Sequence, residues 1–533
     1  MRTTAILLVY AAALAFGTYQ TFKPTFDSRF ERTQTEFGDS MLNHLFLENS
    51  WLVLSDPNYK GTLATPAFYY PAKWTIAYSE NLFGSAPIYW ALRLVTNHEL
   101  AYIWWQIICS ALNFVAFAVV ARWLKLHPAL SVLGAFLWAF AVVHADQIKH
   151  QQMIPRFFMP FAAYYAIRLS LEPSAKHLNR LLAAVFLQCL ACVYVGWFLA
   201  VGVATFLPLA LALRPGAAGE LRRHMTAHPR RGAAVVVGWG LAMLLLFLPY
   251  IVVNFGIQRH YEECYENFPT AAAWLTGPRG SRWREMLMSV RDPAPFECLL
   301  FCGFGLYGLV LAAAVGLSLT ERAKRFPLWP VAAAGLLTAL IWVLLTLATS
   351  QRGESLWRIA RLIPGGNAIR VVSRVYVIVT LFGWLGAFIW LTHVLEQLKR
   401  PAQVAVLVPL LAFIVWEQTG VEQESFPRDH FYAVVDRNAD AMRGAELGYV
   451  IPGYTDPSGA QHLGPYGEVF GMWVGLRANV PVLNGYSGRG PDDFPIVPAL
   501  SDDEIRTWLK GKFKGTIRQL HPDSGAIRFV EVE

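Results

Sequence analysis

Apolar residues recur along this chain in long, nearly unbroken stretches rather than at the alternating or amphipathic spacing of a soluble domain. The stretches lie at about 4–19, 101–121, 129–145, 155–171, 181–213, 232–254, 297–318, 327–348, 372–394 and 402–416. A bilayer crossing needs about 20 apolar residues, so each stretch predicts one span, some of them short, with a single exception. As one helix the 181–213 stretch would run roughly 50 Å against a hydrocarbon core of about 30 Å. Lys176 and Arg180 precede it, and Arg214, Arg222, Arg223, Arg230 and Arg231 follow it, so both of its ends belong on the cytoplasmic side. It is therefore predicted as two short helices turning near Tyr194-Val195-Gly196-Trp197, which makes eleven crossings. Arg122 and Lys125, then Arg322, Lys324 and Arg325, then Lys399 and Arg400 all fall inside on that count. The Ala-rich first stretch also fits a cleaved signal peptide, and either reading leaves the following loop outside.

The polar intervals are organised as well. A long first outer loop, 20–100, carries an apolar pattern from Met41 through Leu54 that predicts a helix lying along the membrane surface. Beyond about residue 420 the character changes: Gly, Pro, Asp and Glu return, and apolar runs shorten to strand length at Gly448-Tyr449-Val450-Ile451 and from Ile527 to Val532. Ser501-Asp502-Asp503-Glu504 reads as a helix start, with acids in the first turn. The expected fold is an α-helical polytopic membrane protein with about eleven transmembrane helices, a transmembrane domain over 1–419, and a small extracytoplasmic α/β C-terminal domain over 420–533.

Composition agrees with the pattern. Of 533 residues 55% are hydrophobic and 15% charged, against about 25% charged in soluble domains. The net charge of +8 suggests nucleic acid until its placement is considered; the basic residues sit in short loops between spans, which excludes that partner. Cys109, Cys189 and Cys192 lie in apolar runs as small hydrophobes, while Cys264, Cys298 and Cys302 fall outside, where Cys264 could pair with either of the others.

Three polar stretches could carry chemistry. Asp39, in Gly38-Asp39-Ser40, stands at or just before the first-loop helix, where a carboxylate is favoured, either as a cap or as a reactive acid facing the bilayer surface. In the short loop His144-Ala145-Asp146-Gln147-Ile148-Lys149-His150, the residues His144, Asp146 and His150 are divalent-metal ligand types, although a solvated polar loop has the same look. The loop 350–374 holds Arg352, Arg358, Arg361, Arg370 and Arg374 against one acid, Glu354. Five external arginines oppose the positive-inside tendency, and guanidinium groups suit the phosphate of a lipid. The turn Pro364-Gly365-Gly366-Asn367 could draw Arg358 and Arg361 towards Arg370 and Arg374. In the tail, Asn484-Gly485-Tyr486-Ser487-Gly488 is a Gly-rich turn lacking the lysine of a P-loop, which suggests a loop packed on the membrane domain or at an acceptor mouth.

Together these stretches resemble bacterial multi-pass proteins of the GT-C glycosyltransferase superfamily, in particular those related to the YfhO-type proteins. The resemblance is carried by Gly38-Asp39-Ser40, Tyr78-Ser79-Glu80, His144 and Gln147 before Pro155 and Pro160, Ile363-Pro364 to Arg370-Val371-Val372-Ser373-Arg374, and Asn484-Gly485-Tyr486-Ser487-Gly488. It implies a bacterial inner-membrane enzyme with its N-terminus cytoplasmic and its tail periplasmic or extracellular. It also implies a polyprenyl-phosphate sugar donor, a glycan, lipid or protein acceptor on the outer face, and Asp39 as catalytic base. Arg358, Arg361, Arg370 and Arg374 would hold the donor phosphate, and Tyr486 and Ser487 would line the acceptor mouth. The first-loop motif lacks an Asp-Glu or Asp-x-Asp pair, so no cofactor is implied outright; a divalent cation, Mg or Mn, is the candidate. The rival readings are a flippase for a lipid-linked intermediate and a non-catalytic envelope-glycan assembly factor.

Overall fold

The computed structural model describes the chain apart from residues 1, 35, 146–148, 228, 256–258, 289–295, 320–325, 351–352 and 496. Each predicted span corresponds to a helix: Arg2–Thr21, His98–Trp123, Pro128–Phe140, Met159–Leu171, Ala175–Ala191, Val193–Leu213, Pro229–Val253, Phe304–Leu319, Trp329–Thr346, Tyr376–Glu396 and Arg400–Glu417. Among the described residues, seven helices are long and apolar enough to cross a membrane. The protein is thus an α-helical polytopic membrane protein, with small sheets near its C-terminus.

The long 181–213 stretch does break in two, at Cys192 rather than a few residues later. Cys192 is extended, with φ −163° and ψ 116°, and its Sγ accepts from Val195 N. The amides freed by the break do not face lipid: the buried Glu80 carboxylate accepts from Val193 N at 2.7 Å and Tyr194 N at 3.2 Å. A first-loop acid thereby satisfies groups that the bilayer could not. At the centre of the bundle Trp329–Thr346 packs on Tyr376–Glu396 so closely that a Cβ on Gly335 would lie 2.7 Å from the Phe382 carbonyl oxygen. Small residues permit this contact between apolar helices. The Pro229–Val253 helix, by contrast, sits at the edge: Met243, Leu246 and Phe247 pack against the core while Val237, Leu241 and Leu245 face outward.

The first-loop helix, Asp39–Ser55, is enclosed by protein over most of its length. Every residue from Ser40 to Ser50 is buried, because the tail covers one side and the His98–Trp123 helix the other. Phe37, Met41, Leu42, Leu45 and Phe46 share one apolar cluster with Phe431, Tyr432, Val469, Phe470 and Trp473 of the tail. Trp473 Nε1 donates to the Met41 carbonyl at 2.9 Å, and His44 stacks on Tyr102 while its Nδ1 meets the Tyr432 hydroxyl at 2.6 Å. The apolar pattern from Met41 to Leu47 therefore records protein contact on both sides, while the last turn, with Leu54 exposed, lies open.

The tail is α/β. Leu447–Val450 runs parallel to Gly515–Leu520, which pairs antiparallel with Ile527–Val532. Helices Asp429–Met442, Pro465–Ala478 and Asp502–Leu509 pack around this sheet, the last opened by a capping box between Ser501 and Glu504. The first loop is hydrogen-bonded into the tail: Val482 N donates to Ala67 O, and Tyr69 N to Asn484 O, both at 3.0 Å.

Candidate functional site

Asp39 is the first residue of its helix, but it does not cap it. The Ser40 amide donates to Glu36 Oε1 at 3.2 Å, so Glu36 performs that service. The Asp39 carboxylate turns elsewhere, with Oδ2 3.1 Å from His150 Nδ1 and Oδ1 accepting from the Tyr486 hydroxyl at 2.9 Å. Three chain segments far apart in sequence thus meet on one carboxylate. The loop bearing His150 is anchored to the helix start, since Ser40 Oγ donates to Lys149 O at 2.9 Å and Asn43 Nδ2 to Gln152 Oε1 at 2.7 Å.

Behind this pair stand Glu297 and Arg374. His150 Nε2 lies 3.6 Å from Glu297 Oε1, and Arg374 NH2 lies 3.6 Å from Glu297 Oε2. Both separations are ion pairs too long to be hydrogen bonds. His150 Nε2, Glu297 Oε2 and Arg374 Nε are buried and have no hydrogen-bond partner among the described residues. These three atoms make the cluster a polar island whose hydrogen-bonding capacity is not filled by the described residues. The Arg374 guanidinium also lies over the Tyr194 ring, 4.7 Å from its centroid.

Electrostatics follow from this arrangement. Burial works to raise the Asp39 pKa, but the hydrogen bond and charge of His150, the Tyr486 hydroxyl and the Arg374 charge outweigh it and hold the carboxyl at about 2. Burial opposes charge on His150, yet Asp39 and Glu297 raise its pKa above the ordinary imidazole value. Burial and then the Asp39 charge push the Tyr486 phenol and the Glu36 carboxyl upward. Asp39 is therefore an ionised acceptor at any physiological pH.

The arginine loop divides. Arg358 is exposed, bound to Glu354 at 2.6 Å and over the Tyr261 ring. Arg361 also lies over Tyr261 and donates to the Arg259 carbonyl. Arg374 turns instead to Glu297 and Tyr194, whereas Arg370 is exposed, its side chain without hydrogen bond or ion pair among the described residues, and its charge acts on both Tyr486 and Cys264. Arg352 lies outside the described residues, as does Asp146. His144 is buried in the bundle with Nδ1 3.5 Å from the Tyr376 hydroxyl, so it does not join His150 at Asp39. Tyr486 reaches Asp39 directly, whereas Ser487 donates to the Arg489 carbonyl within its own turn.

Glu297, Tyr194 and Glu36 were not anticipated. Glu297 opens a run read only as a span, and its lone charge at that edge was the available signal. Among the described residues no group of three or more His, Cys, Asp or Glu is arranged to hold a metal ion. All six cysteines are free and buried, so Cys264 forms no disulfide with Cys298 or Cys302.

No family model matches the sequence, and no curated protein matches it. Among solved structures the chain is similar to the oligosaccharyltransferase of Archaeoglobus fulgidus in the apo form, with 12% identity, a TM-score of 0.48, and coverage of 96% of this chain and 69% of that one. It is also similar to ArnT from Cupriavidus metallidurans in the apo state, with 10% identity, a TM-score of 0.40, and coverage of 98% and 94%. Such likenesses concern the chain trace alone. What the chain can do is read from its side chains.

Proposed function

We propose that this protein is a membrane glycosyltransferase moving a sugar from a polyprenyl-phosphate donor to an acceptor hydroxyl on the outer face of the bacterial inner membrane. The observation that carries the reading is an ionised Asp39 bound to His150, behind which stands a buried guanidinium, Arg374, paired with Glu297 and with its Nε unpartnered among the described residues. The acceptor oxygen attacks the anomeric carbon, the bond from that carbon to the phosphate oxygen breaks with its electron pair on phosphate, and the hydroxyl proton passes to Asp39. A carboxylate near 2 is a weak base, so the proton moves late, once the forming bond has made the hydroxyl acidic. Departure of phosphate asks for positive charge, which Arg370 and Arg374 supply. Attack opposite the departing phosphate inverts the anomeric centre.

The test is release of polyprenyl phosphate by the purified protein in nanodiscs, offered a panel of polyprenyl-phosphate sugars. Wild type should release it with one donor, and Asp39→Asn should lose about a hundredfold or more. Full release by a correctly inserted Asp39→Asn protein would remove Asp39 as base. No release from any donor, with lipid-linked sugar still crossing the bilayer, would favour the flippase.

A further inference from the structure

The Tyr486 hydroxyl reaches Asp39 from a turn in the tail, and that turn is held by one acid. The Glu468 carboxylate, in the first turn of the Pro465–Ala478 helix, accepts from Asn484 Nδ2 at 3.0 Å and from Gly485 N at 3.1 Å. Asn484 is otherwise fully committed: its side chain bridges Val450 N at 2.8 Å and Val450 O at 2.7 Å. Two glycines allow the turn to pack this closely. A Cβ on Gly471 would fall 2.4 Å from the Asn484 side chain, and one on Gly485 would fall 2.1 Å from the Tyr69 ring. The residue that follows these clamps is Tyr486.

We propose that Glu468 is a positioning residue of the site: its carboxylate sets the Asn484-Gly485 turn that presents the Tyr486 hydroxyl to Asp39, and its protonation loosens that presentation. The titratable groups facing it are the phenols of Tyr69 and Tyr449, and among the described residues no cation pairs with it. Burial, only partly offset by the two donors, pushes the Glu468 carboxyl up to about 7. The ionised carboxylate is the stronger acceptor, so the turn is tight above neutrality and relaxes as pH falls through that value. Only the kinetic consequence rests on the proposed transfer; the geometry does not.

The experiment therefore has two arms. Tyr486→3-fluorotyrosine reports the hydroxyl by fluorine NMR in the full-length protein in nanodiscs. Its resonance should shift with a midpoint near pH 7 when Glu468 is present and stay flat in a Glu468→Gln background; a resonance flat in both, or titrating alike in both, overturns the proposal. In the kinetic arm Glu468→Ala should lower kcat roughly ten- to a hundredfold with little change in donor KM. Adding Tyr486→Phe should cost nothing beyond Tyr486→Phe alone, whereas losses that multiply would overturn the proposal. A fluorine titration that depends on Glu468 in a protein that transfers no sugar would uphold the positioning role and sink the transferase reading.

Discussion

The Asp39 carboxyl is held near 2 although it is mostly shielded from water, so its charge depends on its partners. With the folded value below the ordinary 3.8, the fold prefers the ionised form. That stabilisation is complete above about pH 4 and is lost as pH falls through about 2. His150→Gln removes the strongest of the lowering influences and leaves burial less opposed. Difference infrared spectroscopy should then find Asp39 protonating at clearly higher pH than in wild type, and an unchanged titration would dismiss His150 as its charge partner. Among the described residues the exposed Arg370 side chain has no hydrogen bond or ion pair and its charge acts on Tyr486, so Arg370→Ala should raise the donor KM about tenfold or more, consistent with loss of a charged hydrogen bond. Arg358→Ala, whose partners are Glu354 and Tyr261, should leave donor KM nearly unchanged. The sequence grouped all four arginines, and only their partners separate them.

Among the elements, the break between Ala175–Ala191 and Val193–Leu213 was legible from length and flanking charge, because one helix crossing the bilayer cannot leave both of its ends on the same side. What was not legible is the means: Glu80, over a hundred residues earlier, accepts the amides that the break exposes. Glu80→Ala should destabilise the protein by about 1–3 kcal/mol, the cost of buried donors left unpaired, seen as a lower unfolding temperature in detergent. Glu80→Gln should recover part of that loss, since its amide oxygen still accepts. A similar distinction applies to the first-loop helix. Its apolar pattern announced a helix with little ambiguity, yet apolar positions look alike whether they meet lipid or protein, and the partner came from residues almost four hundred positions later.

At the scale of the molecule, the first loop and the tail form one body over the membrane-spanning helices. Phe37, Met41, Leu42, Leu45 and Phe46 are covered by tail side chains, and the Ala67–Tyr70 segment is hydrogen-bonded to Val482 and Asn484. Truncation before Asp429 should therefore leave the first loop open to protease rather than yield a folded membrane domain with an intact site. A truncated protein that resists cleavage between residues 37 and 76 would contradict this. Sequence by itself determined the span pattern, the helix break, and the strand-length runs and capped helix of the tail. Each of these follows from local periodicity, charge placement or the shortage of hydrogen-bond partners in lipid. Tertiary structure alone decided that Glu36 frees Asp39 from capping, that His150, Glu297, Arg374 and Tyr486 converge around it, and that His144, Arg358 and Arg361 do not. Those facts depend on which side chains close packing brings within a few ångströms, and no local pattern in the chain encodes contacts across hundreds of residues.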